Sequence, residues 1–166
     1  MTTEVTAVDQ EITFAEAAES EYQDILRRYP TTRAALLPVL WLAQREFGSL
    51  SVEVMEYVAE RLDLPPTKVL QVATFYTMFK KRPSGKYHVE VCTCVPCCMN
   101  GGVELVRTLE EKLGVRAGET SADRRFSLAE AECLAACGNA PVMQIDSVYY
   151  ERVTPELIDE IIEHLP

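Results

Sequence analysis

The stretch Val91-Cys92-Thr93-Cys94-Val95-Pro96-Cys97-Cys98 holds four of the chain's six cysteines, and Cys133 and Cys137 supply the other two. Cys92 and Cys97, with four residues between them, followed far downstream by Cys133 and Cys137, with three between them, can bring four thiolates from two loops around one object. Iron in a [2Fe–2S] cluster takes two thiolates per metal, and a short loop between paired cysteines lets backbone amides aim at the sulfurs. The neighbouring residues are small or apolar: Thr93, Val95 and Pro96 in the first loop, and Leu134, Ala135, Ala136 and Gly138 in the second. Few long charged side chains stand between such loops and a cluster, so they can approach closely and keep water away.

Other chemistries fit part of the pattern. A buried cysteine is often only a small hydrophobe, but six of them grouped at two loops argue for metal or redox chemistry. Cys94-Val95-Pro96-Cys97 is a C-x-x-C after a strand and before a helix, as a thiol oxidoreductase requires. That reading leaves Cys92, Cys98 and the downstream pair without a role. Zinc held by Cys94, Cys97, Cys133 and Cys137 is also chemically sound. His88 and His164, the only histidines, lack the spacing to share a metal. No arrangement of Ser, His and carboxylates suits nucleophilic catalysis, and no glycine-rich nucleotide fingerprint is present.

The elements that must position these cysteines fall into two groups. Residues 1–13 are polar and aperiodic and read as a flexible tail. From Phe14 the pattern is helical, with Ala17, Tyr22, Ile25 and Leu26 apolar and Pro30 closing the segment. Thr31 or Thr32 is the expected cap of a second helix, which carries Leu36, Leu40, Ala43 and Phe47 and stops at Gly48. Ser51 caps a third, with Met55, Val58, Ala59 and Leu62 on one stripe. Pro65-Pro66 starts a fourth that runs through Phe79 and is apolar around much of its circumference, as for a helix covered on several sides. Phe75, Tyr76, Phe79 and Trp41 read first as core, and otherwise as a surface that meets a partner. Residues 14–82 are therefore expected to form a four-helix bundle.

Lys80-Lys81-Arg82-Pro83-Ser84-Gly85 breaks the pattern and marks a boundary. Tyr87, Val89 and Val91 then alternate with polar residues as a strand, and Val103, Val106, Leu109 and Leu113 return to helical spacing. Arg125 to Leu134 suits a strand, although Ala129-Glu-Ala-Glu132 would tolerate a helix. Val142–Ile145 and Val148–Val153 flank Asp146-Ser147 as a hairpin. Thr154-Pro155 opens a last helix. The class expected is α+β: a helical bundle followed, over residues 86–166, by a thioredoxin-like α/β domain.

Composition limits the partners. Sixteen basic and twenty-six acidic residues among 166 give a net charge of −10, which argues against nonspecific affinity for nucleic acid or an anionic membrane. No secretory signal or apolar run of membrane-spanning length is visible. The compartment expected is therefore a reducing cytoplasm, where clustered cysteines more often mean metal or redox chemistry than structural disulfides.

Leu37-Pro-Val-Leu-Trp-Leu-Ala-Gln-Arg-Glu-Phe-Gly48, Val72-Ala-Thr-Phe-Tyr-Thr-Met-Phe79, the Cys92/Cys97 pair and Cys133-Leu-Ala-Ala-Cys-Gly-Asn-Ala-Pro-Val142 together carry a family resemblance. From about Tyr22 to the C-terminus the chain resembles the thioredoxin-like [2Fe–2S] subunit of the NADH dehydrogenase module of respiratory complex I. The resemblance implies one [2Fe–2S] cluster ligated by Cys92, Cys97, Cys133 and Cys137. It also implies a larger partner that carries FMN and the NADH site, and a place in the peripheral arm of a membrane-associated complex. Related subunits occur in NAD-linked hydrogenases and formate dehydrogenases. The chain departs from the family at Cys94 and Cys98, where noncysteine residues are usual, and in the run Cys98-Met-Asn-Gly101, where the family commonly has a Met-Leu-Arg-Gly-like sequence.

Overall fold

The computed structural model describes residues 12–165, so most of the expected tail, residues 1–11, lies outside the described residues. Ile12 already packs on the helical core. The chain divides between Pro83 and Ser84 into two compact units.

The first unit consists of α1 (Glu16–Arg28), α2 (Leu36–Phe47), α3 (Val52–Leu62) and α4 (Pro66–Phe75). In α1 the buried residues Ala18, Tyr22 and Ile25 fall one turn apart on one face. Acidic Glu16 and Glu19 open the helix and Arg27 and Arg28 close it, which matches charge to the helix dipole. Gly48 ends α2 at φ +76°, a left-handed conformation that a residue with a Cβ resists. At the start of α3, the Ser51 hydroxyl accepts from the Val54 amide at 3.3 Å, as its sequence position predicts. The core between these helices contains Val39, Leu40, Leu50, Val58, Leu62, Val69 and Phe79.

Two expectations need correction here. The second helix begins at Leu36 rather than directly after a threonine cap, because a turn intervenes in which the Thr31 hydroxyl accepts from the Ala34 amide. The fourth helix ends at Phe75 and is not covered on several sides: only Val69 and Ala73 are buried, and Phe75 is 77% exposed. Its early stop has a visible cause. The buried Gln44 side chain donates to the Met78 carbonyl and accepts from the Lys80 amide, and the Leu50 amide donates to the Lys80 carbonyl. Those bonds hold residues 78–80 in a turn, in which the Phe79 amide donates to the Tyr76 carbonyl, and carry Phe79 inward, to 1% exposure.

The second unit is a four-stranded sheet ordered β2-β1-β3-β4, made of β1 (Tyr87–Cys92), β2 (Phe126–Ala131), β3 (Val142–Ile145) and β4 (Val148–Glu151). It also contains the helices α5 (Val95–Met99), α6 (Gly102–Leu113) and α7 (Pro155–His164). The segment that could have been strand or helix is strand. β2 pairs in parallel with β1, from Tyr87 opposite Phe126 to Cys92 opposite Ala131. β1 and β3 are antiparallel, as are β3 and β4 around Asp146 at φ +53°. Val89, Val91, Leu105, Leu109, Leu128, Met143 and Ile158 form the core of this unit. The architecture is thus a helical region followed by a thioredoxin-like mixed sheet with helices.

Candidate metal centre

Parallel pairing makes β1 and β2 end at the same edge of the sheet, so the loops that follow them emerge side by side. Cys92 is the last residue of β1, and Thr93 extends the ladder by donating its amide to the Ala131 carbonyl at 2.9 Å. Cys94 caps α5 in extended conformation, and Cys97 lies within that short helix. After β2, Cys133 to Cys137 form the second loop, with Ala135 at φ +57° and Cys137 opening a turn of 3₁₀ helix over Cys137–Asn139. The Ala135 amide donates to Cys133 Sγ at 3.3 Å. The Arg152 amide donates to the Asn139 carbonyl at 2.9 Å, and the Asn139 side chain donates to Glu151 at 2.7 Å, so β4 braces this loop from behind.

Cys92 and Cys97 are 2% and 1% exposed and pack with Val142 as a small core of their own. Their thiols lie close enough for each to act on the other's ionisation. Burial pushes the Cys97 thiol up to about 11, and the neighbouring Cys92 adds to this. At Cys92 burial acts in the same direction but is overcome: the backbone N–H groups of Cys94 and Leu134, with the Cys97 thiol, hold it below the ordinary cysteine range. Val142 supplies an amide to Cys97. Partial burial and the nearby Cys133 raise the Cys94 thiol.

The β1–β2 register, carried on by the Thr93–Ala131 bond, brings Cys94 alongside Cys133, and Cys133 and Cys137 both lie close enough to act electrostatically on Cys94, as Cys137 does on Cys97. Within the C-x-x-C, Cys97 shares the buried core with Cys92 and Val142, and Cys94 packs against that core from outside it. Cys98 points elsewhere, with its Sγ donating to the Thr93 carbonyl at 3.1 Å. Among the described residues, no three Cys, His, Asp or Glu side chains close around a single ion position. His88 and His164 stay apart from the cysteines, in β1 and α7. Sequence reasoning did not identify the Leu134 and Val142 amides or the brace of Asn139, Glu151 and Arg152. The Asn-Ala-Pro run after Cys137-Gly138 was the available signal.

Two loops bearing soft thiol donors, amides directed at sulfur and an apolar floor fit an iron–sulfur cluster. The thioredoxin-like [2Fe-2S] ferredoxin family matches residues 22–166. The chain belongs to this family. The E-type subunit of NADH-quinone oxidoreductase from Rickettsia bellii is 49% identical over 146 residues, covering 86% of this chain and 87% of that protein. Its counterpart from Rickettsia felis is 46% identical over 144 residues, covering 85% and 86%. An NAD+-reducing [NiFe]-hydrogenase has the same fold, with a TM-score of 0.69 at 24% identity, over 79% of this chain and 22% of its own. This thioredoxin-like [2Fe-2S] ferredoxin is thus closely related to the E-type subunits of NADH-quinone oxidoreductase, and its likeness to the hydrogenase is one of fold.

Proposed function

We propose that this ferredoxin is an electron-transfer subunit holding one [2Fe–2S] cluster on Cys92, Cys97, Cys133 and Cys137. The observation that carries the reading is the Cys92–Cys97 thiol pair, buried at the end of β1 and supplied with the amides of Cys94, Leu134 and Val142, beside the loop of Cys133 and Cys137. Bound there, the cluster supplies a one-electron couple. The chain's own residues do the rest. Amide dipoles stabilise negative charge on the sulfurs, Val142, Leu134 and Ala136 keep water from the inner side, and the Asn139 brace fixes the outer loop. No nucleotide fingerprint occurs in the sequence, so we assign FMN, the NADH site and hydride chemistry to a partner subunit. Identities of 46% and 49% to the two rickettsial NADH-quinone oxidoreductase proteins support a complex I setting, in the peripheral arm on the cytoplasmic side, over a hydrogenase one.

Anaerobic purification followed by visible absorption, EPR of the reduced protein and metal analysis tests the reading. The expected result is about two irons per chain and a [2Fe–2S] spectrum. A colourless, EPR-silent protein with stoichiometric zinc would overturn it.

A further inference from the structure

The two cysteines outside the proposed ligand set differ in what their thiols meet. Cys98 donates to a carbonyl within its own loop. Cys94 packs, with Leu134 and Ala136 of the opposite loop, against the Cys92–Cys97–Val142 core, and the parallel register that sets Cys92 opposite Ala131, carried past the strand by the Thr93–Ala131 bond, brings Cys94 alongside Cys133. Accessibility separates this pair from the other: Cys94 is half-buried and Cys133 exposed, whereas Cys92 and Cys97 are both buried. Disulfide exchange needs a thiol that the oxidant can reach and a second thiol in place to resolve the mixed disulfide. Cys133 meets the first condition and Cys94 the second.

We propose that Cys94 and Cys133 are a redox pair of the cluster-free chain, whose disulfide withdraws Cys133 from the ligand set and bars iron until it is reduced. The consequence for iron rests on the proposed ligand role of Cys133. With a glutathione disulfide as oxidant, Cys133 attacks one of its sulfurs and releases the first glutathione. Cys94 then attacks the Cys133 sulfur of the mixed disulfide and releases the second. One protein S–S bond forms, the glutathione S–S bond breaks, and two glutathione thiols carry away the two electrons and the two protein thiol protons.

The test uses the full-length cluster-free chain treated with oxidised glutathione, followed by alkylation and peptide mass spectrometry. The expected link joins Cys94 to Cys133 and is reversed by dithiothreitol. A link within Cys92–Cys97 or Cys133–Cys137, or glutathione adducts with no internal link, overturns the proposal. Iron and sulfide are then offered to oxidised wild type and to oxidised Cys94→Ala. Oxidised wild type should take up no iron until it is reduced, while oxidised Cys94→Ala should hold glutathione on Cys133, with no internal link, and take up iron once dithiothreitol has removed it. Iron uptake by the disulfide form of wild type equal to that of the reduced chain would overturn the lock, and a Cys94→Ala chain with no glutathione on Cys133 would overturn the attack by Cys133. Failure of the fully reduced wild type to take up iron would count against the ligand reading instead, and the disulfide map is independent of that result.

Discussion

Gly102 opens α6 beneath the first cysteine loop, where a Cβ would stand 2.9 Å from the carbonyl of Cys97 and 3.1 Å from the oxygen of Cys92. Both contacts are backbone and cannot move without moving the cysteines. Gly102→Ala should therefore cost about 1–3 kcal/mol of overpacking and reduce iron retention, and thermal unfolding with metal analysis would check both. Unchanged melting and iron content would show that the loop has slack. Among the cysteines, the double substitution Cys94→Ser and Cys98→Ser should keep the iron and the spectrum, whereas Cys92→Ala or Cys97→Ala should lose both. An unchanged spectrum in Cys92→Ala, with loss in Cys94→Ser, would show that the C-x-x-C pair supplies the ligands. The cysteines stood out in the sequence because their side-chain chemistry is rare and their spacing is local. The amides of Leu134 and Val142 and the tight approach at Gly102 did not, since every residue but proline carries an amide and only the fold decides where it points.

Between α1 and α3, Arg61 does the joining. Its guanidinium donates to Glu19 at 2.7 Å and to the Tyr57 hydroxyl at 2.7 Å, and lies 4.3 Å from the centre of the Tyr22 ring. The Arg61 hydrogen bond, helped by Gln23, holds the Glu19 carboxyl below the usual glutamate range. A lowered carboxylate stabilises the fold fully above its unfolded value and ceases to do so as pH falls through the folded one. Acid should thus loosen α1, beginning as pH drops through the ordinary glutamate range. Arg61→Met should flatten that part of the pH dependence, as read by circular dichroism melts from neutral to acidic pH. The end of α4 yields a sharper contrast: Phe79→Ala should cost about 3–5 kcal/mol, whereas Phe75→Ser should stay within about 0.5 kcal/mol. Helical periodicity could not separate these two phenylalanines. Their fates differ because a buried glutamine thirty-odd residues earlier captures the chain after Phe75, and that pairing leaves no local trace. Capping was easier to read, as at Ser51, because the cap and its amide lie within one turn.

The two units have separate cores, one made wholly of residues from Phe14 to Phe79 and the other of residues from Tyr87 to Ile161. Residues 84–166 alone should accordingly fold and take up about two irons per chain; a fragment that is unfolded by circular dichroism would show that it needs the bundle. The whole chain should not reduce dyes with NADH until a flavin-bearing partner is added, and robust turnover by the chain alone would contradict that division of labour. No helix among the described residues is long and apolar enough to cross a membrane. The two-part architecture was legible from the change of hydrophobic period near Pro83, but the parallel partnership of β1 and β2 was not, since nothing local in either strand names its neighbour. That partnership also imposes a timetable. Cys92 and Cys97 become neighbours as soon as one loop closes, as do Cys133 and Cys137, but the two pairs meet only after β2, which follows α5 and α6 in the chain, has come to lie along β1. Long-range strand pairing is slow relative to local closure. An unfolded chain therefore offers a metal ion two separate groups of thiols, at 92–98 and at 133–137, and a four-cysteine site comes into existence only when the two strands pair.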